Sequence, residues 1–371
     1  MSCPYFNQGL FIGSLPEGKT HISMCCFQKR KIVDEVNFND PFLTSIRKDS
    51  ATQIPSECHP HCSIPGHVEN ERENSTVEWR DLFKESNTTA IKMLHLEQSL
   101  ICNLTCISCS TQFSSAWNKD YHHFVPNAPK IKLKKFPEEK WKNLDLTQLE
   151  KLHFTGGEPL LNGDNKKILQ HLEKLEVLEN VMISYNTNGT ILPDSETLRL
   201  WNKARFVRLF LSLDGIGSTF EYTRYPAVWK SVSDNIQTLR EHKDACILIE
   251  VSGIIGMHNI FNLPNFFDWW KHNCKTGSHG DESHIFVKKI DDWSFGGKSL
   301  DLKYLSDKQC ELALDMLYSL VEYPGVNDLI TTIKNQRQPG DGWINYLDKL
   351  DSLRNTNWRN SLAKELSNSK H

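Results

Sequence analysis

The chain has 371 residues, a formal net charge of −3, 39% hydrophobic and 24% charged residues. That length suits one barrel-sized domain with appendages, and the near-balanced charge excludes a general electrostatic pull toward nucleic acid or anionic membrane. No apolar run reaches the ~18 residues needed to cross a bilayer. Met1-Ser2-Cys3-Pro4-Tyr5-Phe6-Asn7 lacks the basic flank and apolar stretch of a signal peptide, so a cytoplasmic location is expected. The odd total of 11 cysteines then favours metal ligation over a disulfide framework.

Residues 1–70 read as a cysteine-rich module. It carries Cys3, the adjacent Cys25 and Cys26, and Cys58-His59-Pro60-His61-Cys62. Four thiolates can close a metal site, and only one of Cys25 and Cys26 need join, because neighbouring side chains in extended backbone point to opposite faces. His59, His61 and His67 around the Cys58 and Cys62 pair keep zinc open beside an iron-sulfur cluster. A polar stretch at 71–89 reads as a linker.

From residue 90 short apolar runs alternate with longer amphipathic segments, the pattern of repeated βα units on a parallel sheet. It predicts strands at 91–96, 151–155, 181–186, 206–213, 247–254 and 284–288. Helices are expected at 165–178, 195–203, 229–242 and 263–272. Six strands make a partial barrel over 90–290. Residues 291–371 then form a helical extension, with helices at 305–321, 342–354 and 358–366.

Within the barrel region, Cys102-Asn103-Leu104-Thr105-Cys106-Ile107-Ser108-Cys109 places three thiols in one short loop without a fourth. Fully extended, those seven steps span about 23 Å, so bringing the sulfurs together requires a tightly curled loop. Three ligands do not close a tetrahedral zinc site, and the spacing differs from that of structural zinc modules. Downstream stands His153-Phe154-Thr155-Gly156-Gly157-Glu158-Pro159-Leu160. Its glycines permit close backbone approach, Glu158 offers a carboxylate to an ammonium, and Pro159 keeps Glu158 out of helical geometry. The later strand ends carry Asn186, Asn188, Ser212 and Asp214, short polar side chains beside glycines. Arg224 follows, and Gly253 and Ile254 lie on the fifth predicted strand.

The cysteine loop resembles that of the radical S-adenosylmethionine (SAM) enzymes, whose Cys-x3-Cys-x2-Cys loop holds a [4Fe-4S] cluster with one iron open to SAM. The resemblance implies that Cys102, Cys106 and Cys109 ligate this cluster and that Gly156, Gly157, Glu158 and Pro159 meet the SAM amino group. Asn186 and Asn188 suit the ribose hydroxyls of a nucleoside by their own chemistry, and the resemblance further implies that Ser212, Asp214 and Arg224 line the SAM pocket, with Gly253 and Ile254 toward the adenine. Ser108 departs from the pattern, since an aromatic or large apolar residue is usual before the third cysteine. The N-terminal set resembles the twitch domain, a truncated SPASM module, which implies an auxiliary [4Fe-4S] cluster on Cys3, one of Cys25 and Cys26, Cys58 and Cys62. In the better-studied enzymes that module follows the barrel, whereas here it precedes it.

The expected fold is therefore α/β: a partial (β/α)6 TIM-like barrel with an N-terminal auxiliary-cluster module and a C-terminal helical extension. The expected activity is reductive SAM cleavage to a 5'-deoxyadenosyl radical that abstracts hydrogen from a peptide or peptide-derived substrate, with flavodoxin or ferredoxin as electron donor. Two alternatives stay open: a non-catalytic metal-binding scaffold, and a radical SAM enzyme with a zinc-stapled N-terminal module acting on nucleic acid.

Overall fold

A computed structural model describes residues 8–15, 18–25, 28–50, 56–57, 90–127, 136–161, 163–242, 244–274, 284–290 and 297–367. Its strands are β1 (Gly9–Ser14), β2 (Thr20–Ser23), β3 (Lys31–Val33), β4 (Met93–Glu97), β5 (Lys151–Thr155), β6 (Met182–Thr187), β7 (Phe206–Ser212), β8 (Ile247–Ile255) and β9 (Ile285–Lys289). They form a mostly parallel sheet in the order β3-β2-β1-β4-β5-β6-β7-β8-β9. The six strands expected from the sequence are β4 to β9, each within two residues of its predicted bounds. The fold is thus α/β, with a helical C-terminal region. Among the described residues, no helix is long and apolar enough to cross a membrane.

The chain divides into two compact units: Met1–Leu100, Ile131–Tyr185 and Pro193–Val207 in the first, Ile101–Lys130, Asn186–Leu192 and Arg208–His371 in the second. In the first, β1 pairs in parallel with β4 and antiparallel with β2, and β2 pairs antiparallel with β3. The pairing runs on in parallel through β4 to β5 and β5 to β6. Side chains alternate across such strands, and the two faces differ sharply in chemistry. Leu94, Leu96, Leu152, Phe154, Ile183 and Tyr185 are all buried. The Phe154 and Tyr185 rings stack at 4.8 Å, and the Trp201 indole donates to the Tyr185 hydroxyl at 3.2 Å. Removing a side chain the size of Phe from water contributes about 1.5–3 kcal/mol, which fastens the helices Asn165–Lys174 and Ser195–Lys203 through buried Ile168, Leu169, Leu172, Leu200 and Trp201. The opposite face carries Phe11, His95, His153 and Ser184 in register.

In the second unit β8 pairs in parallel with β9, and the helices Trp229–Glu241 and Leu263–Asn273 bury Val232, Ile236, Leu239, Phe266, Phe267 and Trp270. A buried Arg208–Glu250 ion pair at 3.2 Å links β7 to β8.

Several expectations change at element ends. The helix predicted for 165–178 stops at Lys174, and Glu176 takes a left-handed φ of 59° before a short 3-10 turn at Leu178–Asn180. The helix expected from 305 begins at Asp307, because Ser306 and Gln309 close a capping box, and it ends at Tyr318. The stretch 358–366 is two short turns, Trp358–Ser361 and Lys364–Ser367. A helix at Val326–Asn335 had no counterpart in the sequence reading.

Candidate functional site

The cysteine loop belongs to the second unit, and backbone hydrogen bonds from its interior fix it. The Thr105 and Ile107 amides donate to the Tyr225 and Thr223 carbonyls at 2.7 and 2.8 Å, and the Cys109 amide closes back on the Cys106 carbonyl at 3.1 Å. Side chains finish the curl. The Ser114 hydroxyl donates to the Leu104 carbonyl at 2.7 Å, and the Trp117 indole to the Cys106 carbonyl at 2.9 Å. These bonds hold the loop without any help from its sulfurs.

None of the three is in a disulfide; Cys106 is buried, and Cys102 and Cys109 are partly exposed. Arg224 Nη1 approaches Cys106 Sγ at 3.8 Å and Asn188 Nδ2 approaches Cys102 Sγ at 4.0 Å. Burial pushes the Cys109 thiol up to about 12 and the Cys106 thiol higher still; neighbouring thiol charge adds to this, and Arg224 opposes it. Three mutually repelling sulfurs beside a guanidinium are stabilised as thiolates by a cation set among them. Among the described residues no three Cys, His, Asp or Glu side chains are gathered around one ion position. Thiolate sulfurs are the donors that hold an iron-sulfur cluster, and the loop offers three of them.

Asp214, at the end of β7, organises the surroundings. Its fully buried carboxylate pairs with Arg224 Nη2 at 2.9 Å, accepts from the Ile254 amide at 2.8 Å and from the Ser108 hydroxyl at 3.1 Å. The departure at Ser108 thus has a local reason: a small donor there ties the cysteine loop to the β7 carboxylate. Asn259 Nδ2 donates to the Asp214 and Ile254 carbonyls at 2.8 and 2.9 Å. Gly253 sits in tight space, since a Cβ there would lie 3.0 Å from the Leu213 carbonyl oxygen and 3.2 Å from the Phe266 ring. Asn188 Nδ2 donates to Asn103 Oδ1 at 3.0 Å, which ties the turn after β6 to the loop. Asn186 is exposed and Ser212 partly so.

Gly156, Gly157, Glu158 and Pro159 belong to the first unit. Gly156 has φ +104°, and a Cβ on it would lie 2.3 Å from the Ser99 carbonyl oxygen. The Gly157 amide donates to that same oxygen at 2.8 Å, so only glycine serves at 156. Glu158 is 1% exposed and accepts from the Leu160 amide at 3.0 Å. The Pro159 carbonyl accepts from Asn165 Nδ2 at 2.7 Å.

Cys25 is partly exposed. Cys3, Cys26, Cys58 and Cys62 lie outside the described residues, and the auxiliary-cluster assignment with them. Of the three isolated cysteines, Cys274 and Cys310 are buried, whereas Cys246 is exposed.

Residues 97–269 match the family model described as the Radical SAM superfamily. Over that span, just under half of the chain, the sequence is similar to the radical SAM superfamily. Curated relatives include a GTP 3',8-cyclase from Aquifex aeolicus, 29% identical over 34% of this chain and 36% of that one. Another, from Clostridium acetobutylicum, is 33% identical over 31% of this chain and 37% of its own length. The chain therefore spans little more than a third of the curated relatives it matches. Among solved structures, Streptococcus suis SuiB bound to its precursor peptide SuiA aligns over 94% of this chain and 75% of that chain, with 15% identity and a TM-score of 0.42. The anSMEcpe enzyme with bound AdoMet aligns over 63% of each chain, with 16% identity and a TM-score of 0.41. At these values neither likeness bears on what the chain does.

Sequence reasoning missed Thr223, Tyr225, Asn259 and Arg354 as supports of the loop. Arg354 left a signal: it follows Trp343, Leu347 and Leu350 along the buried face of the helix Gly342–Arg354, a position where an unpaired arginine is not tolerated.

Proposed function

We propose that the chain is a radical SAM enzyme whose Cys102, Cys106 and Cys109 hold a [4Fe-4S] cluster. When bound, the cluster supplies one electron to SAM, splitting it into methionine and a 5'-deoxyadenosyl radical that takes hydrogen from substrate. The observation that supports this most directly is the curled three-thiol loop, held by the amides of Thr105 and Ile107 and by Ser108 on Asp214. A loop fixed independently of its sulfurs presents them preorganised.

The chain's own groups have distinct tasks in this reading. Arg224 balances thiolate charge at Cys106 while paired to Asp214. Asp214 aligns the Ile254 backbone and Ser108, which the family resemblance puts beside the nucleoside of SAM. Gly156, Gly157, Glu158 and Pro159 receive the SAM ammonium on the strength of their motif. The substrate in this reading is a peptide or peptide-derived compound, and the electron donor a flavodoxin or ferredoxin. An auxiliary [4Fe-4S] cluster on the N-terminal cysteines completes the proposal.

The test is anaerobic reconstitution followed by reduction with SAM present. Formation of 5'-deoxyadenosine and methionine, with roughly eight irons per chain and no zinc, supports both clusters. Roughly four irons with one zinc favours a zinc-stapled N-terminal module. A reduced, iron-loaded chain that leaves SAM intact overturns the enzymatic reading and leaves a metal-binding scaffold.

A further inference from the structure

The polar sheet face of the first unit holds a second constellation, separate from the cysteine loop. The Phe11 ring stacks with His21 at 5.3 Å and meets His95 edge-on at 4.3 Å, and His95 meets His153 at 4.6 Å. Gly13 stands opposite His21 in the ladder, and a Cβ on it would lie 2.2 Å from the His21 ring. The backbone there forgoes a side chain so that the imidazole can lie across it.

Hydrogen bonding is uneven within the stack. His95 Nε2 is engaged with Thr155 Oγ1 at 2.6 Å, and His153 Nδ1 with Ser184 Oγ at 2.7 Å. His21 is 0% exposed, yet among the described residues neither of its ring nitrogens has a hydrogen-bond partner. Buried polar atoms are rarely left so unless a ligand or water completes them. His95 and His153 keep accessible surface although protein surrounds them closely enough to suppress their protonation. Each therefore keeps surface that a ligand could reach.

The charges give the sign of what would fill it. Burial holds His21 and His153 at about 3 and His95 well below its ordinary value, so all three are neutral at pH 7. Among the described residues, Glu97 is the acidic group set against Arg30, and burial raises it to about 7 against that pull, so it carries only part of a charge. Arg30 and Lys151 are the facing cations, and the Arg30 guanidinium lies 4.9 Å from the Phe11 ring centroid. The field is positive beside neutral N–H donors, which suits an anion.

We propose that this face is an oxyanion-binding site, in which Arg30 and His21 hold a carboxylate or phosphate group of a small ligand. A metal ion fits poorly, because Arg30 repels it and among the described residues no three Cys, His, Asp or Glu side chains gather around one ion position. Binding stands on the first unit alone; that the ligand is the substrate, gripped by its charged end, rests on the function proposed above.

The test uses the full, anaerobically reconstituted chain titrated with inorganic phosphate and, separately, glutarate, with melting temperature and calorimetry as readouts. A saturable upward shift with either anion is expected, and the anion that binds identifies the source of the oxyanion. Arg30 is partly exposed, so Arg30→Gln leaves the core intact. It should weaken the effective anion at least tenfold with iron content unchanged, while Arg30→Lys keeps part of the affinity. Absence of saturable binding by both anions, or equal binding by the wild type and Arg30→Gln, overturns the site. SAM cleavage without anion binding would remove this site and leave the proposed function standing; anion binding without SAM cleavage would do the reverse.

Discussion

Arg354 Nη2, from the C-terminal helix Gly342–Arg354, donates to the Thr105 carbonyl inside the cysteine loop at 2.8 Å, across 249 positions of sequence. The same guanidinium pairs through Nε with Asp120 at 2.9 Å, and its centre lies 5.2 Å from the ring centroids of both Trp117 and Tyr225. One buried side chain thus joins the loop, the helix Trp117–Phe124 and the segment that receives the loop's amides. Arg354→Ala should destabilise the chain by about 3–5 kcal/mol, because it strands the Asp120 carboxylate and the Thr105 carbonyl. Arg354→Lys should fall between, since a point charge cannot reproduce the fork. Urea unfolding measures the first effect, and iron retained after gel filtration measures whether the loop has loosened.

Asp214 and Ser108 should separate in magnitude. Asp214→Ala leaves Arg224 buried without its counter-charge and is expected to cost about 3–5 kcal/mol. Ser108→Ala removes one hydrogen bond to a charged acceptor and should cost roughly 1.5–3 kcal/mol. Thermal melts of the two variants rank them, and equal losses would contradict the central position given to the carboxylate.

Gly156→Ala should be damaging out of proportion to one methyl group. The substitution adds a Cβ against the Ser99 carbonyl oxygen in a backbone region L-residues avoid, with strain of roughly 1–3 kcal/mol before any steric adjustment. Gly163→Ala, with nothing within 4 Å of its Cβ position, is the internal control and should be near neutral.

Replacing Cys102, Cys106 or Cys109 singly with alanine should remove about four irons per chain and abolish SAM cleavage. The fold should persist, because backbone and side-chain bonds other than the sulfurs hold the loop. Circular dichroism matching wild type alongside lost iron is the expected pair of results.

Stability should fall as the solution is made acidic. Burial holds His21 and His153 at about 3 and His258 at about 4 in the folded chain. An unfolded histidine titrates near 6.5, so between those values the unfolded chain binds more protons and is favoured as pH falls. Each such group contributes a slope of at most about 1.4 kcal/mol per pH unit. Glu97 acts in the opposite direction: its raised value of about 7 means the folded chain binds the extra proton between there and 4.5, which favours folding as pH drops. Three histidines outweigh one carboxyl, so the urea midpoint should decline from pH 6.5 to pH 5.

The legible parts of this chain were those written locally. Apolar runs such as 151–155 and 206–213 marked strands, and Ile168, Leu169 and Leu172 marked a helical face, because burial imposes period two or 3.6 on neighbouring residues. The cysteine spacing and the Gly156-Gly157 pair were visible for the same reason. Asn259 on the Asp214 carbonyl, Arg354 on Thr105, and Phe11 and His21 beside His95 were not, since each partner lies tens or hundreds of residues away and no periodicity records it. The helix Val326–Asn335 was obscured by its start: Gly325, at φ 90°, occupies the N-cap without offering a side-chain acceptor.

The pairing of β1 with β4 over Gly9 to Gly13 and Met93 to Glu97 bears on how the chain can be shortened. Cutting away everything before residue 90 would strip β4 of a neighbour and bare a row of unsatisfied amides and carbonyls along a strand bearing Met93, Leu94 and Leu96. Such an edge recruits other molecules, so the trimmed protein should precipitate or self-associate instead of yielding a minimal catalytic core.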